Sequence, residues 1–390
     1  MASGTHTKRR VLFLDYTNGI GLGGGQRSLQ LLLEELDRDR FEPMLACPSG
    51  EQLLNRVPEG VKVYPLELPE EFRALSRRGG RWGQVLKSLP GVCGLRRRWG
   101  AILRHARPDV IHANNLKMLF LASAAEPWSP TPRLWHVRDI LPRNAMTQAL
   151  KRAGTRLATR ILAVSRAVVR ELPPSPRAVV LHNAVRLPPL DGLAGLRREF
   201  RQSHGIGSRA CVIGYAGRMD SGKGLDILLD AFCQLSAGNP RLELLLAGEG
   251  PMEGALAQIA SIRGVSAKLR RAGFQHDMAG AWSAMDIAVV PSTEPDSFPR
   301  TAVEAMAYRL PVVGSDTGGI GEAVAAGETG SLVAPGDAAA LADALRPLCL
   351  DEDMRQSQGA AGRRRCERLF SAETQARRLA QIYDDVLEAA

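Results

Sequence analysis

A chain of 390 residues is long enough for about two domains, and 45% apolar with 24% charged residues is the composition of a globular protein with real cores, which excludes a disordered or low-complexity chain. The six cysteines (Cys47, Cys93, Cys211, Cys233, Cys349 and Cys366) show no CxxC and no histidine at ligand spacing. That pattern excludes a zinc finger and a disulfide framework and points to a reducing, cytoplasmic setting. The net charge of +10 is unevenly placed: residues 1–187 carry 30 Lys plus Arg against 15 Asp plus Glu, and residues 188–390 carry 21 against 26.

From the N-terminus, "MASGTHTKRRVLFLDY" starts basic, but its apolar run stops at Asp15, too short for a signal peptide, and reads as a first strand. Further strands are predicted at 44–47, 61–64, 110–113, 134–137, 161–164 and 178–181, with helices between them. Residues 72–108 hold ten basic side chains and no acidic one, interleaved with Trp82, Leu86, Leu89 and Trp99. Such a face suits an anionic membrane surface, on the inner side of the membrane, or a phosphorylated partner; a solvated Arg-rich helix pair accounts for it equally well. No run approaches the 18 or so apolar residues of a membrane span.

"RLPPLDGLAG", residues 186–195, concentrates Pro and Gly and reads as a linker. The alternation then restarts: strands "CVIGYAG", "LELLLAG", "AKLRRAGF", "DIAVVPS", "LPVVGSD" and "GSLVAP" are spaced by helices such as "GLDILLDAFCQL". Two doubly wound, Rossmann-like α/β domains with parallel sheets follow, 1–187 and 188–370, facing a central cleft. The final stretch, 371–390, sets Leu379, Ile382, Tyr383, Val386 and Leu387 on one helical stripe that must pack on something.

Ligands of such sheets bind beyond the carboxyl ends of the strands, where helix N-termini favour anions. Three loops qualify. In "NGIGLGGGQRSLQ", Gly23, Gly24 and Gly25 allow close backbone approach to a diphosphate, although glycines also serve packing there. In "YAGRMDSGKGLD", Arg218 offers a fork of donors and Lys223 a compact charge, a pair able to clamp phosphate oxygens; singly, each is equally an exposed surface residue. In "EPDSFPRTAVEAMA", Pro299 suits the first helical turn, so Asp296 lies before the helix and Glu304 inside it, with N–H groups at Phe298, Arg300 and Thr301 exposed at the entrance. Asp296 can be a cap and Glu304 a surface residue, but apolar neighbours around Glu304 call for a partner, and a vicinal diol is a natural one.

The motifs "GRMDSGKGLDILLDAF", "LLLAGEGP", "RRAGFQHDM", "EPDSFPRTAVEAMAYRLPVVGSDTGGIGEAV" and "GSLVAPGD" resemble, in order, the GT4 family of retaining, nucleotide-sugar-dependent glycosyltransferases with the GT-B fold. The likeness is dense over 196–390 and thinner in "GGGQRSLQLL", "PDVIHAN", "LWHVRDI", "ILAVSRAVV" and "VVLHNAV". It implies a hexose-type transfer from a nucleotide-diphosphate sugar to an acceptor hydroxyl, with that sugar nucleotide as donor substrate, no other cofactor and no metal. The same likeness implies that Arg218 and Lys223 hold the diphosphate, Glu304 the ribose, and Asp296 the transferred sugar, beside Ser297, Phe298, Pro299, Arg300 and Thr301. Gly273 and Phe274 would lie by the base, Gly23 and Gly24 by the phosphates, and His136 would reach the sugar. The last helix would cross back to the N-terminal domain.

This chain departs from the family at two positions: Asp296 stands where Glu is usual, and Pro299, which has no N–H, where Gly is common. The acceptor site falls to the first domain, with Gln26, Arg27, Lys117, Arg138 and Arg143 as candidates for an acidic or lipid-linked acceptor. Two other classes stand beside the transferase: a nucleotide-sugar epimerase or hydrolase on the same fold, and a basic membrane- or nucleic-acid-binding protein. Nucleic acid is disfavoured because aromatics are only 5% and no RNP-type or helix-turn-helix signature is present. "DRD" at 37–39 and "DED" at 351–353 read as surface charge rather than metal ligands.

Overall fold

Val-, Ile- and Leu-rich runs alternate with helices along the chain, and each strand pairs only with parallel neighbours, the arrangement in which both sheet faces are buried. The computed structural model describes residues 8–16, 23–49, 51–68, 89–125 and 129–389. They divide into two compact units, Met1–Asn183 with Ala372–Ala390, and Ala184–Ser371.

In the first unit the strands are β1 (Arg9–Leu14), β2 (Phe41–Cys47), β3 (Lys62–Pro65), β4 (Val110–Ala113), β5 (Arg133–Val137), β6 (Arg160–Ala163) and β7 (Ala178–Val180), in sheet order β3-β2-β1-β4-β5-β6-β7. All seven were legible. β2 begins at Phe41 rather than Met44, since Phe41 is buried and its ring meets Tyr383 at 5.5 Å. The last helix, Ala372–Glu388, belongs to this unit. Its stripe of Leu379, Ile382, Tyr383 and Val386 is at most 3% exposed and joins Phe13, Leu29, Leu45 and Leu134 in one core. Each such side chain contributes about 1.5–3 kcal/mol by leaving water.

The second unit holds β8 (Cys211–Ala216), β9 (Leu242–Ala247), β10 (Leu269–Gly273), β11 (Ile287–Val290), β12 (Val312–Ser315) and β13 (Gly330–Val333), in order β10-β9-β8-β11-β12-β13. The unit boundary lies at Asn183/Ala184, not at 187/188. A β-bridge pairs Val185 with Ser371, and Val185 N–H donates to Phe370 O at 3.0 Å, so the start of the Pro/Gly stretch is tied into the second unit. The other end of that stretch opens a helix, Leu193–Ser203, entered through Gly192 at φ +86°.

Sheet order reverses beside the first strand of each unit, between β1 and β4 and between β8 and β11. Loops leaving the two strands there diverge and leave a crevice, the usual ligand position.

The basic stretch is only partly described. Residues 72–88, with Trp82 and Leu86, lie outside the described residues, and only the backbone of Leu89 is described. Trp99, expected among the membrane-facing aromatics, is instead 0% exposed: it lies on the inner side of the helix Leu89–Ala106, while Arg96, Arg97 and Arg98 face out. Among the described residues no helix is long and apolar enough to cross a membrane.

Candidate functional site

In the second unit, the loops after β8 and β11 meet at the strand-order reversal. Lys223 closes a 3-10 turn, Ser221–Lys223, after β8; its Nζ lies 2.7 Å from Asp296 Oδ2, in the loop after β11. Asp296 also accepts the Phe298 N–H through Oδ1 at 3.2 Å. The carboxylate is thus both a local turn ligand and a partner for a cation 73 residues away. Arg218, 71% exposed, donates to Asp220 Oδ1 at 2.9 Å, and its carbonyl accepts the Tyr215 hydroxyl at 2.6 Å. Burial, with the charges of Asp220 and Asp296 nearby, pushes the Tyr215 phenol well up, which keeps that hydroxyl a donor.

Pro299 stands just before the helix Arg300–Ala307 rather than within it, so Glu304 is its fifth residue. The apolar surroundings of Glu304 do call for a partner, and in this structure Arg300 fills the place, with Nη2 3.1 Å from Oε1 one turn away. Arg300 also donates to Ala184 O at 3.2 Å. The Phe298 side chain is core, 3% exposed and edge-on to Phe370 at 5.4 Å, and its N–H is held by Asp296, so the expected free donor there is already engaged. Ser297, Arg300 and Thr301 stay half-buried around the loop, while Pro299 is buried.

Glycines bring these loops into contact. Gly224 has φ +64°, and a Cβ there would stand 2.0 Å from Pro291 O; at Gly318, φ +59°, it would stand 2.0 Å from Asp296 O. Gly319 N–H donates to that same Asp296 carbonyl at 2.7 Å. The loop after β12 therefore fixes the backbone that carries Asp296, a role that "TGGIGEAV" signals only as a glycine pair. At the end of β10, Gly273 has φ +64°, and Phe274 donates its N–H to Glu249 Oε1 at 3.2 Å while half of its ring faces solvent. Tyr215, Asp220, Glu249 and Gly318 were missed from sequence; only the glycine carried a local signal.

In the first unit a buried polar network fills the strand-order reversal. Asn114, after β4, donates to Asp15 Oδ1 at 2.8 Å, and Arg138, after β5, donates to Asn114 Oδ1 at 2.5 Å and to Asn183 Oδ1 at 3.0 Å. Gln26 joins through Asp15 and through Glu51 Oε2 at 3.1 Å. Burial raises the pKa of Asp15, against the hydrogen bond from Asn114 and the charge of Arg138. Gly25 packs beside this arginine, a Cβ there falling at a van der Waals distance of 3.4 Å from Arg138 Cδ. Gly23 precedes the helix Gly24–Glu35 and its carbonyl accepts the N–H groups of Gln26 and Arg27.

His136, which the resemblance places by the sugar, has a buried side chain in this unit. It is 0% exposed, and Nδ1 lies 3.2 Å from Arg138 Nη2 and 3.0 Å from His112 Nε2. Arginine only donates, so His136 Nδ1 accepts; His112 then carries its proton on Nε2, and its Nδ1 accepts the Tyr383 hydroxyl at 2.7 Å. Burial, then the Arg138 charge, depresses both histidines, His112 to about 3. His136 is neutral and buried, its Nε2 N–H without a hydrogen-bond partner among the described residues, and Arg138, 9% exposed, is the outermost member of this chain. Of the other acceptor candidates, Lys117 sits over the Tyr16 ring at 5.2 Å, whereas Arg143 is outside the network, paired with Glu171. Among the metal-like triplets, Asp351 caps the helix Glu352–Leu369 and Asp37 accepts the Asp39 N–H.

Comparison with known proteins agrees with this geometry. The glycosyl transferases group 1 family model matches residues 197–365 and the Glycosyltransferase Family 4 model residues 22–187. A D-inositol 3-phosphate glycosyltransferase of Corynebacterium jeikeium is 34% identical over 195 residues, 48% of this chain and 46% of that protein; this chain spans about half the length of the curated relatives of that kind that it matches. A glycogen synthase of Mycobacterium tuberculosis is 28% identical over 361 residues, 86% of this chain and 84% of that protein. Among solved structures, Anabaena HepE in complex with UDP and glucose is 23% identical with a TM-score of 0.76, covering 96% of this chain and 99% of that one. A Rickettsia africae glycosyltransferase is 17% identical with a TM-score of 0.81, covering 99% and 100%. The fold is GT-B. The chain belongs to glycosyltransferase family 4.

Proposed function

We propose that this protein transfers a hexose from a nucleoside diphosphate sugar to an acceptor hydroxyl, with retention at the anomeric carbon and without a metal. The observation that carries the reading is the meeting of Lys223 and Asp296 at the second unit's strand-order reversal, 2.7 Å apart, with Glu304 on the helix that follows. Cation and carboxylates stand where a sugar nucleotide offers opposite groups: Lys223 and Arg218 take the diphosphate, Asp296 the sugar hydroxyls, and Glu304 the ribose diol. Each acidic or basic group is held by an opposite charge in the free protein and exchanges it for the ligand.

In the proposed step the acceptor oxygen bonds to the anomeric carbon on the face the leaving group departs from. The bond from that carbon to the diphosphate oxygen breaks, and the acceptor proton passes to the departing diphosphate. Charge developing on the leaving group is met by Lys223 and Arg218, preorganised cations of the kind that contribute most when aimed at a transition state. Two cations supply the neutralisation that a divalent ion provides elsewhere, which supports the metal-free reading. The HepE structures with UDP and UDP-glucose support a uridine donor as the first to try.

Five described cysteines are free thiols, in keeping with a cytoplasmic enzyme. Peripheral contact with an anionic membrane through residues 72–108 belongs to the same proposal, supported by exposed Arg96, Arg97 and Arg98. An acidic or lipid-linked acceptor would meet the first unit's cations. The test is incubation of purified protein with UDP-glucose and other sugar nucleotides, an acceptor panel and EDTA, with anomeric configuration read by NMR. Transfer with retention in EDTA is expected; inversion, or strict need for a divalent ion, would overturn the reading.

A further inference from the structure

The first unit carries a second group of cations, apart from the Asp15–Arg138 network. A cavity of about 370 Å³ opens between the helices Ala145–Leu157 and Arg166–Arg170, lined by Arg143, Gln148, Arg152, Arg170 and Glu171, with Pro173 and Pro174 as an apolar wall. Its volume is that of a small-molecule site. Among the described residues Glu171 is the only carboxylate lining it, and its charge is already met: Arg143 donates to both of its oxygens at 3.1 and 2.5 Å, and Lys151 Nζ stands 3.6 Å away. These contacts hold the Glu171 carboxyl below its usual range, the Arg143 hydrogen bonds first.

Among the described residues the positive charge in excess of Glu171 has no counterpart. Among the described residues no carboxylate, hydrogen bond or ring meets the side chain of Arg152 or Arg170. Lys151 is buried, its side chain 2% exposed, yet its ammonium has three protons and among the described residues finds only Leu141 O at 3.5 Å and Glu171 at 3.6 Å, both at the far limit of a hydrogen bond. A buried ammonium so poorly met beside Glu171, with two unpaired guanidinium forks and the Gln148 amide lining the same cavity, makes a site short of an anion. Planar forks match the oxygens of a phosphate, and the proline wall takes an apolar or ring portion beside it.

We propose that this cavity binds the phosphoryl group of a phosphorylated ligand, at a site separate from the donor diphosphate cations Arg218 and Lys223, which belong to the second unit. The claim goes beyond the transferase reading and stands whether or not sugar is transferred.

The test uses the full chain and inorganic pyrophosphate as probe, titrated by calorimetry. In a Arg218→Ala, Lys223→Ala background, pyrophosphate binding should persist, and adding Arg152→Ala and Arg170→Ala should weaken it at least tenfold. Arg152→Lys with Arg170→Lys should recover part of it, and unchanged melting temperature shows that the exposed substitutions keep the fold. Co-sedimentation with phosphatidylglycerol vesicles separates the sources: loss of sedimentation in the Arg152/Arg170 variant assigns a lipid headgroup, and sedimentation that is absent or unchanged assigns a soluble phosphate. The proposal is overturned if the background binds no pyrophosphate, or binds it equally with and without Arg152 and Arg170. Failure of the transferase reading would show instead as no transfer from any sugar nucleotide, leaving these titrations intact.

Discussion

Lys223 and Asp296 are 73 residues apart in the chain and 2.7 Å apart in space, joined where the loops after β8 and β11 converge. Because the pair is one-fifth to one-third exposed, its own contribution to stability is small, about 1 kcal/mol or less. In the proposed function its value is chemical, since a ligand with a phosphate and a hydroxyl takes both charges at once. Lys223→Ala should lower kcat for sugar transfer by about 10²–10³, the loss typical of removing one preorganised charge-stabilising group, with little change in melting temperature. Steady-state kinetics beside a thermal melt checks this; a large melting shift with unchanged kcat would make the pair structural.

Arg218 is held by Asp220 at 2.9 Å in an exposed pair. Asp220→Asn frees the guanidinium for the diphosphate, so affinity for UDP should rise. Exposed pairs are worth about 0.2–1 kcal/mol, so the gain should stay below about fivefold. Calorimetric titration with UDP reads it directly, and weaker binding would show that Asp220 orients Arg218 rather than competing for it.

Glu304→Ala removes both the assigned ribose ligand and the partner of Arg300 at 3.1 Å. UDP binding should weaken by about tenfold, which is about 1.4 kcal/mol. Arg300→Ala leaves Glu304 in place and should cost less affinity. Equal losses in the two variants would instead assign Glu304 the role of holding Arg300.

Gly318→Ala forces a Cβ onto a φ of +59° and to 2.0 Å from the Asp296 carbonyl. The left-handed backbone alone costs about 1–2 kcal/mol, and the clash displaces the loop that carries Asp296. Both melting temperature and transfer rate should fall. Gly254→Ala serves as control: this exposed helical glycine has nothing within 4 Å of the added carbon, and the change should be neutral or stabilise by up to about 1 kcal/mol.

The buried histidines set an acid limit. His112 titrates at about 3 in the fold, and His136 lies well below the ordinary 6.5, both through burial first and Arg138 second. Below pH 6.5 the unfolded chain binds protons that the folded one does not, so this stability is full above 6.5 and is lost as pH falls toward 3. The slope is at most about 1.4 kcal/mol per pH unit for each histidine. Asp15, raised by burial, acts in the opposite sense, losing stability as pH rises through its folded value. Urea melts between pH 7 and 4 should show the net decline, smaller in His112→Asn.

The strands, the apolar stripe of the last helix and the loops beyond the strand ends were legible because their signals are local. Short continuous apolar runs such as "VLFL", a five-residue helical stripe and a Gly-flanked Lys each fit within one window of sequence. The ion-pair partners were not legible. Asp220 for Arg218, Arg300 for Glu304 and Lys223 for Asp296 are chosen by distance in space, and a hydrophilic residue in a loop carries no label for its mate. Trp99 read as a surface aromatic from composition, yet the helix rotates it into the core. The sequence by itself determined two parallel α/β sheets and the residue types at their carboxyl ends, because hydrophobic period and turn chemistry act over a few residues. Tertiary structure alone decided that His136 is buried and Arg138 the outer cation, because burial depends on partners distant in the chain, such as His112, 24 positions from His136, and Tyr383, 271 positions from His112.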